Sequence, residues 1–448
     1  VPEFSNMFIN LLNYFKKVKV HCVRGNHGRS LSEDTEILTE NGWKTYKTIN
    51  KNDIIATYNI EKDKVEWQLI QDINIYNYSG KMFHGKHKSL DFKVTPEHNM
   101  VEYDRKNSIH TLRKVEEIWD KKDNVIFSLS AKSYNLDYPI SDDWLRLFGW
   151  LLTDANYFKS KDKNFIDTNI YQSKLEYINE IENLLTILNI PFSEHHRQRD
   201  IKEICGKVLK NKPKEGYSFR ILASNEKDNI LKLLQDRKII PHWMYNLSDR
   251  QVSILLETIT KADGTLRKAG RGRSDGYASK QEEIGIYKNK EFLDQLQALL
   301  VTHDIPSNIR KDNRGGYVLS IRNSKNVWLT KNNKQLVNYN GIAWCVTVPN
   351  HTIFTRRNGK VLIVGNSGRF SDETSNWDIA LYEACRIATQ NYKNIEWNIS
   401  YDWNNSFKIY DWNFLLIHGH QIKMSMQIPH YGITSKGMRW QGSMGHFD

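Results

Sequence analysis

Apolar residues change their spacing along this chain, and the changes divide it into three textures. From residue 30 to about 140 they fall in short β-branched or aromatic runs, "WKTYKTI", "IIATYNI", "FKVT" and "NVIFSLS", separated by Asn, Lys, Asp and Gly. Such runs, bounded by turn residues, predict many short strands and an all-β unit. From 141 to 326 the apolar positions recur every three or four residues instead. "WLRLFGWLL", "KLEYINEIENLLTIL", "NEKDNILKLLQD" and "KEFLDQLQALLVTH" predict helices, alternating with strand-like "GYSFRILA" and "GGYVLSIRN". Strand texture returns at "IAWCVTVPNHTIFTRRNGKVLIVGN", which ends at Asn366. Beyond 367 a third composition begins, with the helical pattern "WDIALYEACRIATQNY" and then strands.

The helical middle repeats itself. "LFGWLLTDANYF" (147–158) and "LETITKADGTL" (256–266) are each followed by a helix, a basic stretch and a Gly-Tyr strand, and Asp154 and Asp263 stand 109 positions apart. A duplicated αββαββα-type unit, its copies related by a pseudo-twofold axis, accounts for this. Charge adds a partner. The chain carries +12 overall, and residues 145–330 hold 31 Lys and Arg against 23 Asp and Glu. That surplus fits either a solvated Lys-rich surface or a face that contacts a phosphate backbone. Four widely separated cysteines (Cys22, Cys205, Cys345, Cys385) form no CxxC or zinc spacing, which favours a reducing compartment over a disulfide framework. No apolar run is long enough to span a membrane, and Lys16, Lys17 and Lys19 break the pattern of a signal peptide. A cytoplasmic setting, in a prokaryotic or phage-infected cell, is expected.

Residues 30–366 resemble an intein carrying a LAGLIDADG homing endonuclease. The opening "SLSEDTEILTENGWKTYKTINKNDIIATYN" is similar to the amino-terminal block of inteins, and the insert ends at "GNS". The resemblance implies a β-rich Hint horseshoe from 30–140 and 327–366, with the α/β endonuclease of 141–326 set between its halves. It also assigns chemistry. Ser30 attacks the Arg29 carbonyl, helped by Thr95 and His98 of "TPEH"; Ser367 takes over the resulting ester; Asn366 cyclises and frees the insert. No cofactor is required. Two positions depart from the family pattern. Gly365 replaces the His often found before the terminal Asn, which makes His351 the candidate helper. Cys345 in "AWCVTV" replaces the usual Asp, as an acid/base helper, a branching nucleophile, or simply a buried inert thiol.

For the middle, the resemblance implies a helix pair with Gly149 and Thr258 at its contact, each helix projecting one carboxylate. Asp154 and Asp263 would share divalent ions, Mg²⁺ above all, and cut double-stranded DNA at the site of the uninterrupted host gene. The insert is expected to act as a monomer. Arg220 and Arg322, at the ends of the Gly-Tyr strands, are candidates for stabilising the phosphate.

The flanks 1–29 and 367–448 resemble pieces of an α/β calcineurin-like metallophosphoesterase. "GNH" supplies a metal-ligand Asn26 and a general acid His27; "LLIHGHQI" supplies His418 and His420; "GHFD" supplies His446, with Asp448 where the family has His. Such an enzyme uses Mn²⁺, Fe or Zn, and the family's early DxH and GD motifs do not occur here, so the implied dinuclear site is incomplete. Two rival readings follow from the same residues. One is a splicing-competent insert with a degenerate endonuclease; the other is a metallophosphoesterase with an insertion that does not splice.

Overall fold

The three-to-four spacing of the middle segment produces its helices, and serines start the two that matter most. In the computed structural model, Ser141 caps Asp142–Thr153 by accepting the Trp144 N–H, and Ser248 caps Asp249–Asp263 in a reciprocal capping box with Gln251. The structure describes residues 2–23, 29–119, 124–159, 166–197, 203–204, 207–208, 216–234, 239–267, 283–312, 315–366, 377–400 and 404–417.

The duplication is visible in strand order. After the first helix, Ala155–Lys159, Ile166–Gln172, Phe192–Arg197 and Gly216–Ile221 form a four-stranded antiparallel sheet in which the fourth strand lies between the second and third. After the second helix, Gly264–Arg267, Glu283–Lys288, Ser307–Lys311 and Tyr317–Ile321 repeat that order. The Asp142–Thr153 helix is buried nearly all round, as a helix sandwiched between two layers must be. It packs on Asp249–Asp263 at the closest approach the side chains allow. A Cβ added at Gly149 would lie 2.6 Å from the Thr258 Cβ.

The β-rich segments interleave. Lys334–Thr347 pairs antiparallel with Asp72–His87 along its whole length, from Lys334 against Gly85 to Thr347 against Asp72. With Leu31–Ser32 and Leu90–Val94 these strands close into a small barrel. Thr352–Arg357 and Lys360–Gly365 join Glu36–Thr39, Ile54–Asn59 and Lys64–Leu69 in a larger sheet. That sheet continues through one bridge, Asn308 to Lys360, into the second copy of the duplicated unit. The expected free-standing horseshoe is therefore corrected to a barrel plus a sheet shared with the inserted unit. Alternation along a strand fixes which face is buried, and it says nothing about which edge pairs with which. The strands before and after the duplicated unit are neighbours, because Val125–Ser128 pairs with Asn326–Leu329. An inserted domain needs its ends close together in this way.

Polar pairs tie the two units. Arg356, 2% exposed, bonds Glu36 at 2.7 and 2.8 Å and Asp294 of the Lys290–Val301 helix at 2.6 Å, and it stacks on Trp43 at 4.6 Å. Its neighbour Arg357 points to the opposite face, onto Asp34 at 2.5 Å and onto Asp91.

The flanks meet each other. Val18–Val23 runs parallel to Ile395–Ser400, in register from Val18 against Ile395. Phe8 packs edge-on against Trp397 at 4.9 Å, and Asn405 donates to the Cys22 carbonyl at 3.1 Å. One parallel pair, the Asn404–Ile409 and Trp412–Ile417 hairpin and two helices make up the described flanks, which fall short of a recognisable phosphoesterase fold. Asn26, His27, Ser367, His418, His420 and His446 lie outside the described residues.

Candidate functional site

Two groups of chemistry-bearing residues emerge, one at the base of the paired helices and one around Ser30 and Asn366. At the helix pair, Asp154 caps the C-terminus of the first helix and Asp263 is the last residue of the second. The Asp154 Oδ2 accepts from Gln172 Nε2 at 3.0 Å, and the Asp263 Oδ2 lies 2.8 Å from Lys288 Nζ. Lys288 also donates to the Thr153 carbonyl at 3.0 Å, so one cation spans the ends of both helices. Gln172 and Lys288 close the second strand of their respective copies, and the duplication thus places an amide against one carboxylate and a cation against the other.

The motif search did not single out Lys288 or Gln172. The signal that could have found them is equivalence, since both are the last residues of "IDTNIYQ" and "EIGIYK". Arg220 pairs with Asp167 at 2.8 Å, away from Asp154 and Asp263. Among the described residues no cluster of three or more His, Cys, Asp or Glu could hold a metal. The donors at the helix pair suit a hard cation that takes one or two carboxylates from protein and its other oxygens from phosphate and water.

The second group gathers on the segment 94–100. Leu31 pairs with Val94, and the Ser30 N–H, the nitrogen of the Arg29–Ser30 bond, donates to Thr95 Oγ1 at 2.9 Å. The Ser30 carbonyl accepts the Thr95 N–H at 3.0 Å. At the other end of the segment, Val364 pairs with Met100 and Gly365 lies on Asn99. A Cβ at 365 would meet the Asn99 Cβ at 2.6 Å and its carbonyl oxygen at 2.7 Å, so no side chain fits before Asn366. Ser30 and Asn366 are 1% and 2% exposed.

His98 lies between these ends and is fully buried, which rules out a surface histidine. Neither ring nitrogen has a partner at good hydrogen-bond geometry, and the Arg29 backbone is the polar group that reaches the ring. Burial and, secondarily, the Arg29 charge push its pKa down to about 3, so the imidazole is neutral at physiological pH. Asn366 is held by a turn: its N–H donates to the His351 carbonyl at 2.9 Å and its Nδ2 to the Val348 carbonyl at 3.0 Å. The His351 imidazole is exposed. Cys345 is wholly buried in the apolar cluster around Leu31, Trp344 and Val346.

Residues 251–333 match the LAGLIDADG-like domain family. The chain therefore carries a LAGLIDADG-like domain whose matched region holds Asp263 and Lys288. Solved structures similar to it include I-DmoI in complex with DNA and Mn (16% identity, TM-score 0.28, 40% of this chain and 89% of that one). Another is I-WcaI bound to its DNA recognition sequence (15%, 0.29, 41% and 76%). A splice-inactive variant of the AceL NrdHF class 3 split intein also matches (16%, 0.21, 23% and 66%).

Curated relatives bear unlike names. They include the C-terminal section of DNA-directed RNA polymerase subunit beta of Stigeoclonium helveticum, 23% identical, covering 78% of this chain and 36% of that protein. Ribonucleoside-diphosphate reductase subunit beta of Aquifex aeolicus is 22% identical (75% and 49%). The ATP-dependent Clp protease proteolytic subunit of Chlamydomonas moewusii is 22% identical (60% and 28%). The chain spans less than half the length of each.

Proposed function

We propose that this chain is a self-splicing precursor: residues 30–366 excise themselves and join Arg29 to Ser367, and the excised insert is a site-specific DNA endonuclease. The observation that carries the reading is the convergence of both junctions on one seven-residue segment, with Ser30, Asn366 and His98 all buried there and the Arg29 backbone reaching the His98 ring. Ser30 and Asn366 are 336 apart in sequence, yet both lie buried beside this one segment. The relatives support it too. A polymerase, a reductase and a protease share no chemistry, so what they have in common with this chain is best read as a mobile insert. The pairing of the flanks across the insert fits two pieces of one host domain.

In this reading the Ser30 Oγ attacks the Arg29 carbonyl carbon; the C–O bond forms as the C–N bond breaks, and the hydroxyl proton ends on the Ser30 nitrogen. Thr95 holds that nitrogen, and neutral His98 donates a ring N–H hydrogen bond to it as the C–N bond breaks. Ser367 then takes the acyl group. The Asn366 Nδ2 attacks its own carbonyl, releasing the Ser367 amine, and an acyl shift leaves an ordinary Arg29–Ser367 peptide bond. Each transfer trades one acyl bond for a similar one, so no external energy source is needed.

The LAGLIDADG-like unit is proposed to cut both strands of DNA carrying the uninterrupted host site. Asp154 and Asp263 would hold divalent cations, of which Mg²⁺ suits the donors best, and the cations would stabilise the attacking and leaving oxygens. Lys288 would balance charge on the phosphate. The flanks are proposed as pieces of a metallophosphoesterase on motif resemblance alone, and the site is proposed to be cytoplasmic.

Mass spectrometry of the expressed chain tests splicing. The expected products are residues 1–29 joined to 367–448, 111 residues, and a free 337-residue insert. Only intact chain, identical with that of Ser30→Ala or Asn366→Ala, would refute splicing. For the nuclease, the insert with Mg²⁺ should linearise a plasmid carrying the uninterrupted site, and Asp154→Asn or Asp263→Asn should stop it. Failure of the unaltered insert on that plasmid would favour a degenerate endonuclease.

A further inference from the structure

The turn that grips Asn366 is itself anchored from the other half of the β-rich unit. Val348 and His351 offer their carbonyls to the two nitrogens of Asn366, and His351 sits in the left-handed region at φ +57°. Between them Asn350 is pinned by three bonds. Its N–H donates to Gln68 Oε1, and its Nδ2 donates to Thr57 Oγ1 and to Glu66 Oε2, each at 2.9 Å. Glu66 also accepts from Asn59 Nδ2 at 3.1 Å and pairs with Lys62 at 3.3 Å. Every anchor comes from residues 57–68, nearly 300 positions before the turn they hold.

We propose that Asn350 and Glu66 are positioning residues for release at the C-terminal junction, fixing the 348–351 turn whose carbonyls hold the Asn366 amide ready to attack. The proposal rests on the splicing reading and deepens it. In the step concerned the Nδ2–C bond forms, the bond to the Ser367 nitrogen breaks, and an Nδ2 proton moves to that nitrogen. The Val348 carbonyl already accepts one Nδ2 hydrogen, so it orients the nucleophile. Bonds to Asn350 and Asn59 hold the Glu66 carboxyl down at about 2, so it is an ionised acceptor throughout the pH range of the assay. On this account His351 contributes its carbonyl, and the exposed imidazole is dispensable to the grip.

The test uses the full-length chain and reads the two junctions apart. In a Ser30→Ala background, Asn350→Ala is expected to slow release of 367–448 by about ten- to a hundredfold, the usual cost of misplacing a reacting group. In an Asn366→Ala background, hydroxylamine cleavage at Arg29–Ser30 should change by less than about twofold, since an ångström-scale shift confined to the turn leaves the ester site in place. Glu66→Ala should behave like Asn350→Ala, and Glu66→Gln, which keeps an acceptor oxygen, should recover most of the rate. Unchanged release in Asn350→Ala overturns the proposal, and so does equal slowing at both junctions, which would mark a merely structural role. A parent chain that neither releases 367–448 nor forms a hydroxylamine-sensitive ester refutes splicing itself, and the proposal with it.

Discussion

The contact between Gly149 and Thr258 gives the sharpest test of the carboxylate pair. An alanine at 149 would put its Cβ 2.6 Å from the Thr258 Cβ and 2.7 Å from its Cγ2. Carbon atoms pack comfortably at about 3.5–4.0 Å, so the helices must separate by roughly 1 Å. Overpacking of this kind costs about 1–3 kcal/mol. Replacing Gly by Ala inside a helix returns about 1 kcal/mol, so the net loss is at most about 2 kcal/mol. Asp154 and Asp263 sit at the ends of these same helices, and a shift of about 1 Å in reacting groups can cost about a hundredfold in rate. Gly149→Ala should therefore cut target DNA about a hundredfold more slowly, while urea unfolding moves little and a gel shift still shows DNA binding. Thr258→Gly in the same chain removes the opposing Cβ and should restore cleavage. Wild-type cleavage by Gly149→Ala, or no recovery in the double variant, would refute the claim that this contact sets the carboxylate geometry.

Other consequences are as open to measurement. Lys288→Met should lower cleavage by about 10²–10³, the cost of losing a donor aimed at developing charge, with DNA affinity nearly unchanged; equal loss of binding would make Lys288 a backbone contact instead. His98 is neutral in the fold, with its pKa lowered from 6.5 to about 3, so the unfolded chain binds a proton that the folded chain refuses. Stability should be full above pH 6.5 and fall as the pH drops toward 3, and His98→Gln in a splicing-blocked chain should flatten that slope in urea titrations. Gly365→His brings in the residue common at the matching position of inteins, yet Asn99 leaves it no room. It should destabilise the junction by about 1–3 kcal/mol and slow release; faster release would contradict the packing.

Much of this was legible in the chain itself. Helical spacing placed the helix ending at Asp154, the motif resemblance placed the one ending at Asp263, and the spacing of the two motifs exposed the duplication. Local propensity and periodicity carry that information, because a helix or strand depends mostly on its own residues. Ser30, His98 and Asn366 stand out in the sequence as candidates by residue type, and all three are buried in the fold.

Pairing across hundreds of residues was not readable. The sequence offers no local sign that Lys334–Thr347 closes a barrel with Asp72–His87, or that one bridge at Lys360 joins the inserted unit to the larger sheet. Strand register and edge choice follow from the total burial of all faces together. The same holds for site partners. Arg220 and Arg322 stand at strand ends as the repeat suggested; the fold pairs Arg220 with Asp167, while Lys288 reaches Asp263. Tertiary structure alone decided that Gly365 has no space for a helper, that His98 is buried, and that residues 57–68 hold the turn around Asn366. Each depends on distance in space between residues far apart in the chain, which composition and periodicity do not encode.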